Sequence, residues 1–88
     1  MKVSFEASFA RDLKHIRDKT LLRQVEEAIA EVKTATVLSE IQHLRKMRGY
    51  ATFYRLRLGD YRIGIEVVES KVIFVRILHR KGIYRYFP

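Results

Sequence analysis

The segment Phe53–Gly64, "FYRLRLGDYRIG", places arginines on alternate residues around a tight turn. Leu58 and Tyr61 flank Gly59-Asp60, and a two-residue loop with Gly first is a type II′ hairpin signal. In that register Leu58 faces Tyr61, Leu56 faces Ile63 and Tyr54 faces Ile65, which makes one apolar face for a core. The other face sets Arg57 opposite Arg62 and Arg55 opposite Gly64. Like charges directly opposite destabilise a sheet. They tolerate each other when a multivalent anion sits between them. Guanidinium groups bind phosphate bidentately and stay charged at any physiological pH. An arginine cluster therefore fits a phosphodiester backbone, and nearby aromatic rings can stack on bases. Tyr84 and Tyr86 follow Arg80 closely and supply such rings. Tyr84 can also take part in proton transfer.

The elements that must hold these side chains are readable from periodicity. Lys2 to Glu6 alternates, with Val3 and Phe5 on one side, as a short strand does. Ser8 is a candidate helix cap, since its hydroxyl can accept from the next turn's amides. Phe9, Leu13 and Ile16 follow at helical spacing. Asp18 or Thr20 can cap a second helix, where Leu22, Val25, Ile29 and Val32 form an apolar stripe. Residues 34 to 51 read as a connection with a helical turn near Val37–Ile41. Strands are expected at about 52–58, 61–68 and 72–80. Burial selects a three-residue loop, Glu69-Ser70-Lys71, for the last hairpin, because a one-residue slip flips every side chain. That register puts Ile73, Val75 and Ile77 in the core. It brings Arg76 and Arg80 onto the face of Arg55, Arg57 and Arg62, and it puts His79 on the core face. Gly64 lies among the arginines and would leave a gap for a backbone or ligand. His15 and His43 show no metal-ligand spacing and read as structural or solvated.

The chain has 88 residues and a formal net charge of +8. Residues 1 to 44 hold seven Lys/Arg and seven Asp/Glu, whereas residues 45 to 88 hold eleven against three. The whole excess lies in the arginine-bearing half, which points to a polyanion partner. The length implies one domain over residues 1–88. The absence of Cys removes disulfides and thiolate metal sites. No apolar run approaches the roughly 18 residues of a membrane span. The N-terminus has no signal-peptide apolar region, so a cytoplasmic location is expected.

"LRKMRGYATFYRLRLGDYRIGIEV", followed by "VRILHRKGIYR", resembles the RelE/ParE superfamily of toxin–antitoxin toxins, on its RelE side. The YR-x-R-x-G-x-YR segment with a terminal HR…Y carries the resemblance, which extends over nearly the whole chain. It implies an α+β fold, a compact β-α-α-β-β-β domain whose antiparallel sheet carries two N-terminal helices on one face. It implies a metal-independent, cofactor-free endoribonuclease that cuts messenger RNA in the ribosomal A site. There the RNA's 2′-hydroxyl attacks the adjacent phosphate, giving a 2′,3′-cyclic phosphate and a 5′-hydroxyl.

By position the resemblance assigns Arg62, Arg80 and Tyr84 to catalysis and matches Arg55 and Arg57 to the family's paired basic residues, which bind the RNA phosphate. Arg76, which the register brings to that face, and Lys81, next to Arg80, are further candidates for binding RNA phosphates. Both first-strand positions are arginine here, where the best-known RelE type has lysine. Arg cannot act as a general base at neutral pH, so the resemblance leaves the proton acceptor open. The implied partners are the ribosome with its messenger RNA and a cognate antitoxin. The antitoxin would carry an acidic, partly disordered segment that wraps the toxin, and operator DNA would be met only through that complex. The rival reading is a ParE-like poison that binds DNA gyrase without catalysis. A further one is an inactive chain competent only for its antitoxin.

Overall fold

The computed structural model describes every residue, Met1–Pro88. Five strands form one sheet: β1 (Lys2–Phe5), β2 (Leu44–Lys46), β3 (Phe53–Leu58), β4 (Tyr61–Val68) and β5 (Lys71–His79). Their spatial order is β1-β5-β4-β3-β2. Helices α1 (Ala7–Lys14) and α2 (Lys19–Thr34) lie between β1 and β2, and a short α3 (Ile83–Tyr86) follows β5. The expected α+β architecture is present, with β2 and α3 added to it. A 3-10 turn at Leu38–Glu40 occupies the expected helical turn. The sheet is mixed rather than antiparallel, because β1 runs parallel to β5.

The β3–β4 hairpin has the register read from the sequence, with Leu58 opposite Tyr61, Leu56 opposite Ile63 and Arg57 opposite Arg62. Gly59 has φ +57°, the left-handed conformation that the first loop position of a type II′ turn requires. Asp18 caps α2, its Oδ1 accepting from the amides of Thr20 at 2.9 Å and Leu21 at 3.2 Å. The buried face of α2 is Leu21, Val25, Ala28 and Val32. It is rotated from the expected stripe, since Leu22 and Ile29 are only half-buried. Ala28 on the contact line lets the helix sit close to the sheet. With Phe9, Leu56, Ile63, Ile65, Val72, Phe74 and Ile77, the Val25, Ala28 and Val32 of this face make the main core.

The last hairpin departs from expectation. Its loop has two residues, since Val68 pairs with Lys71 and Val67 with Val72. Glu69 adopts φ +57° there. Burial pointed to the longer loop because a two-residue loop followed by uniform alternation would put Arg76 on the core face. From that start Val72 and Phe74 enter the core. A β-bulge between Gly64 and Ile65 then shifts the register, so that Arg76 pairs with Gly64 and Ile77 with Ile63. The bulge lets β5 bury Val72, Phe74 and Ile77, where uniform alternation buries either Ile77 or Phe74 but not both.

Helix α1 satisfies the backbone groups that the bulge leaves free. Ser8 stands inside the helix rather than at its cap, a position taken by Glu6. Its hydroxyl donates to the Val75 carbonyl at 2.6 Å. Asp12, four residues on and so on the same helix face, accepts from the Ile77 amide at 3.0 Å. Asp12 also holds the Arg76 guanidinium, at 2.7 Å from Nε and 3.1 Å from Nη2.

The opposite face of the sheet carries a second, smaller cluster. Met47, Ile83 and Phe87 are buried there against Phe53, Val75 and Leu78. Phe87 meets Phe53 edge-to-face, with ring centroids 5.5 Å apart. The face expected to be open is therefore partly roofed by the segment after β5, and the arginines occupy what remains.

Candidate functional site

Strand β2 brings Arg45 directly beside Arg55 of β3, and the hairpin brings Arg62 of β4 beside Arg57. A cleft of about 500 Å³ results, lined by His43, Leu44, Arg45, Arg55, Arg57 and Arg62. Arg55 and Arg57 project from alternate residues of one strand, so they lie on one face about 7 Å apart.

Arg62 is half-buried, as is Arg55, whereas Arg45 and Arg57 are exposed. Its Nη1 donates to the carbonyls of Gly59 at 2.7 Å and Tyr61 at 2.9 Å. Burial pulls its pKa below the ordinary arginine value, and the charges of Arg55 and Arg57 pull it further. Tyr84 opposes that shift and Arg80 adds to it. Arginine starts so far above neutrality that Arg62 stays cationic. Its environment is one that an anion would relieve.

Helix α3 delivers Tyr84, which is 62% exposed. The Arg55 guanidinium carbon stands 5.6 Å from the centre of the Tyr84 ring, a cation–π arrangement. Arg80 is tied to the β3–β4 turn, where its amide donates to the Asp60 carbonyl at 2.7 Å and its Nε lies 3.8 Å from Asp60 Oδ1. Both side chains are largely exposed, so this pair is weak and the guanidinium can turn toward an anion. Lys81 is exposed beside it, and its amide donates to His79 Nδ1 at 3.2 Å. His79 packs edge-on against Tyr61, with centroids 5.5 Å apart, on the core side as expected.

Two expectations fail here. Arg76 does not join the arginine face, because the bulge turns it toward α1, where Asp12 neutralises it. That contact raises the Arg76 pKa, through the hydrogen bonds and then the charge of Asp12. Gly64 does not open a gap, since the Phe87 ring covers it. Sequence reasoning missed Arg45 and His43, which belong to the cleft. Their signal was "HLRK", a histidine followed by a strand of three residues, Leu44–Lys46, too short to show a period.

An arginine-lined cleft on a small α+β sheet, roofed at one side by a short C-terminal helix, defines the class, a compact toxin fold. The family model described as ParE toxin of type II toxin–antitoxin system, parDE, matches residues 3–84. The chain belongs to this family, and it is RelE-like within it. It is 43% identical to Toxin RelE3 of Methanocaldococcus jannaschii, over the full length of both chains. The toxin-like fold is also found in the RelB-RelE antitoxin-toxin complex from Methanococcus jannaschii, with a TM-score of 0.81 and 40% identity. That match covers 96% of this chain and 98% of the other. The intact Escherichia coli RelBE complex shares the fold at a TM-score of 0.68 and 18% identity, over 86% and 92% of the two chains.

Proposed function

We propose that this chain is a ribosome-dependent endoribonuclease that cuts messenger RNA in the A site and so stops translation. One observation carries the reading: four guanidinium groups from three neighbouring strands converge on one cleft, with the Tyr84 ring against one of them. Arg45, Arg55, Arg57 and Arg62 draw in the scissile phosphate. Arg62 is enclosed and held by two carbonyls, and it stabilises the charge that grows as the 2′-oxygen attacks. Preorganised donors of this kind cost nothing to reorient at the moment of reaction. Arg80 and Lys81 extend the basic surface along the RNA strand. Tyr84 protonates the leaving 5′-oxygen, as a phenol at neutral pH can.

The partner that restrains this activity is a cognate antitoxin. Its acidic segment crosses the arginine cleft and neutralises it electrostatically. The net charge of +8 and the antitoxin-bound state of the similar solved toxins support this. Operator DNA is reached only through that complex, and the site of action is the cytoplasm.

Mapping RNA ends after induction tests the proposal. Cuts at A-site codons of translated messages, with new 5′-hydroxyl ends, are expected. The matching family model bears the ParE description, which favours gyrase binding as the second reading. DNA damage with intact messages would select it.

A further inference from the structure

The attack of a 2′-hydroxyl needs a proton acceptor, and guanidinium groups cannot serve. Among the residues lining the arginine cleft, His43 is the one side chain with a ring nitrogen that can accept a proton. Its backbone is held at φ +64°, in the left-handed region that costs a non-glycine residue conformational energy. Two bonds from Arg57 fix it there. The Arg57 amide donates to the His43 carbonyl at 3.1 Å, and Arg57 Nη2 lies 3.2 Å from His43 Nδ1. Arginine can only donate, so Nδ1 is the unprotonated nitrogen of the ring.

Building on the endoribonuclease reading, we infer that His43 is the general base of the cleavage reaction. The groups around it are named easily. Arg45, Arg55, Arg57 and Arg62 face it across the cleft. Glu27 and Glu31 of α2 face it from a second cleft that His43 and Arg57 share, and Glu31 also accepts the Gln42 amide at 3.3 Å. His43 thus stands where the cationic cleft meets two carboxylates.

When the scissile phosphate enters, Arg57 turns to it and releases the lone pair on Nδ1. That nitrogen takes the proton from the 2′-hydroxyl as the 2′-oxygen forms its bond to phosphorus. The bond from phosphorus to the 5′-oxygen breaks, and the leaving oxygen takes the Tyr84 phenolic proton. The products are a 2′,3′-cyclic phosphate and a 5′-hydroxyl. Histidinium and tyrosinate then exchange protons with water and are restored. His43 bonds Arg57 while Tyr84 lies against Arg55, two residues away on β3, so the proton acceptor and the proton donor stand beside different arginines of one strand.

The test is single-turnover cleavage on programmed ribosomes across pH, by wild type, His43→Asn and His43→Gly, with ribosome affinity measured in parallel. Asn and Gly both accept the left-handed backbone, so neither strains the fold. Wild type should show a limb on which cleavage rises with pH as the imidazole loses its proton. His43→Asn should bind ribosomes normally, cleave about 10²-fold or more slowly, and lose that limb. Added imidazole should restore cleavage by His43→Gly in proportion to its free-base form. A His43→Asn variant that cleaves within about threefold of wild type overturns the assignment. So does a slow variant whose pH profile parallels wild type, because a merely structural histidine leaves the profile's shape unchanged. A wild type that leaves ribosome-bound RNA intact removes the endoribonuclease reading itself, and the assignment with it.

Discussion

Gly64 carries the Phe87 ring directly on its backbone, so that a Cβ at 64 would meet the ring carbons at 2.6–2.7 Å. Phe87 is 2% exposed and cannot swing aside cheaply. Gly64→Ala should therefore destabilise the protein by about 1–3 kcal/mol, the usual cost of overpacking. Phe87→Leu should recover part of the loss in the double variant, since the sites share one cavity. Urea unfolding of the four proteins in the cycle measures both effects. Additive losses would show that the ring is not the obstacle.

Arg76 and Arg55 should separate structure from binding. Arg76→Ala leaves Asp12 with the Ile77 amide alone and should cost about 1–3 kcal/mol of stability, in line with hydrogen bonds to charged groups. The salt dependence of ribosome binding should not change. Arg55→Ala should leave stability near wild type and lower the salt slope by roughly one unit. Denaturation and binding titrations at several salt concentrations check the pair. A reduced slope for Arg76→Ala would return that residue to the binding face.

Arg62→Ala should slow cleavage more than it weakens ribosome binding, by about 10²–10³ in the single-turnover rate. The fold should hold, because the change removes a cation from among Arg55, Arg57 and Arg80 and opens no core cavity. Wild-type cleavage with undiminished affinity would exclude Arg62 from the chemistry.

Glu40 supplies a pH dependence. Its Oε1 accepts from the Thr36 amide at 2.7 Å, the Thr36 hydroxyl at 2.9 Å and the Val37 amide at 3.2 Å. These bonds, the Thr36 amide foremost, hold its carboxyl below the usual value of 4.5. A depressed folded pKa contributes stability above the unfolded value and loses it as pH falls through the folded one. Glu40→Gln should thus be less stable than wild type at pH 7. The two denaturant midpoints should converge below pH 4.5, and a constant offset at all pH values would contradict this origin.

How much of this was legible differs from element to element. The β3–β4 hairpin could be read residue by residue because Gly59 and strict alternation specify its register locally. The Asp18 cap and the existence of α2 were equally local. The fate of Arg76 was not, because it depends on Ser8 and Asp12, which lie more than sixty positions earlier in the chain. A bulge has no signal in β5 alone, and only the helix that satisfies it makes it favourable. Strand β2 escaped for a different reason. Three residues carry no period, and Leu44–Lys46 is a strand only because β3 offers it an edge. The candidate site was half legible in consequence: its arginines on β3 and β4 were placed, while Arg45 and His43 were not.

The parallel pairing of β1 with β5 joins Lys2 to Lys71 and Phe5 to Phe74. Such a contact spans nearly the entire chain, and contacts this distant in sequence form late and slowly. Synthesis proceeds from the N-terminus at about 5–20 residues per second, so β1 emerges first and then waits for its neighbour. Helix α1 waits too, because the carbonyl and amide that Ser8 and Asp12 satisfy belong to β5. The β3–β4 hairpin can close on its own, but Arg80 and Tyr84 follow β5 and reach the cleft only after that strand is in place. A nascent chain thus carries the arginines of β2–β4 before Arg80 and Tyr84 can join them, and the complete site comes into being as the last step of its assembly.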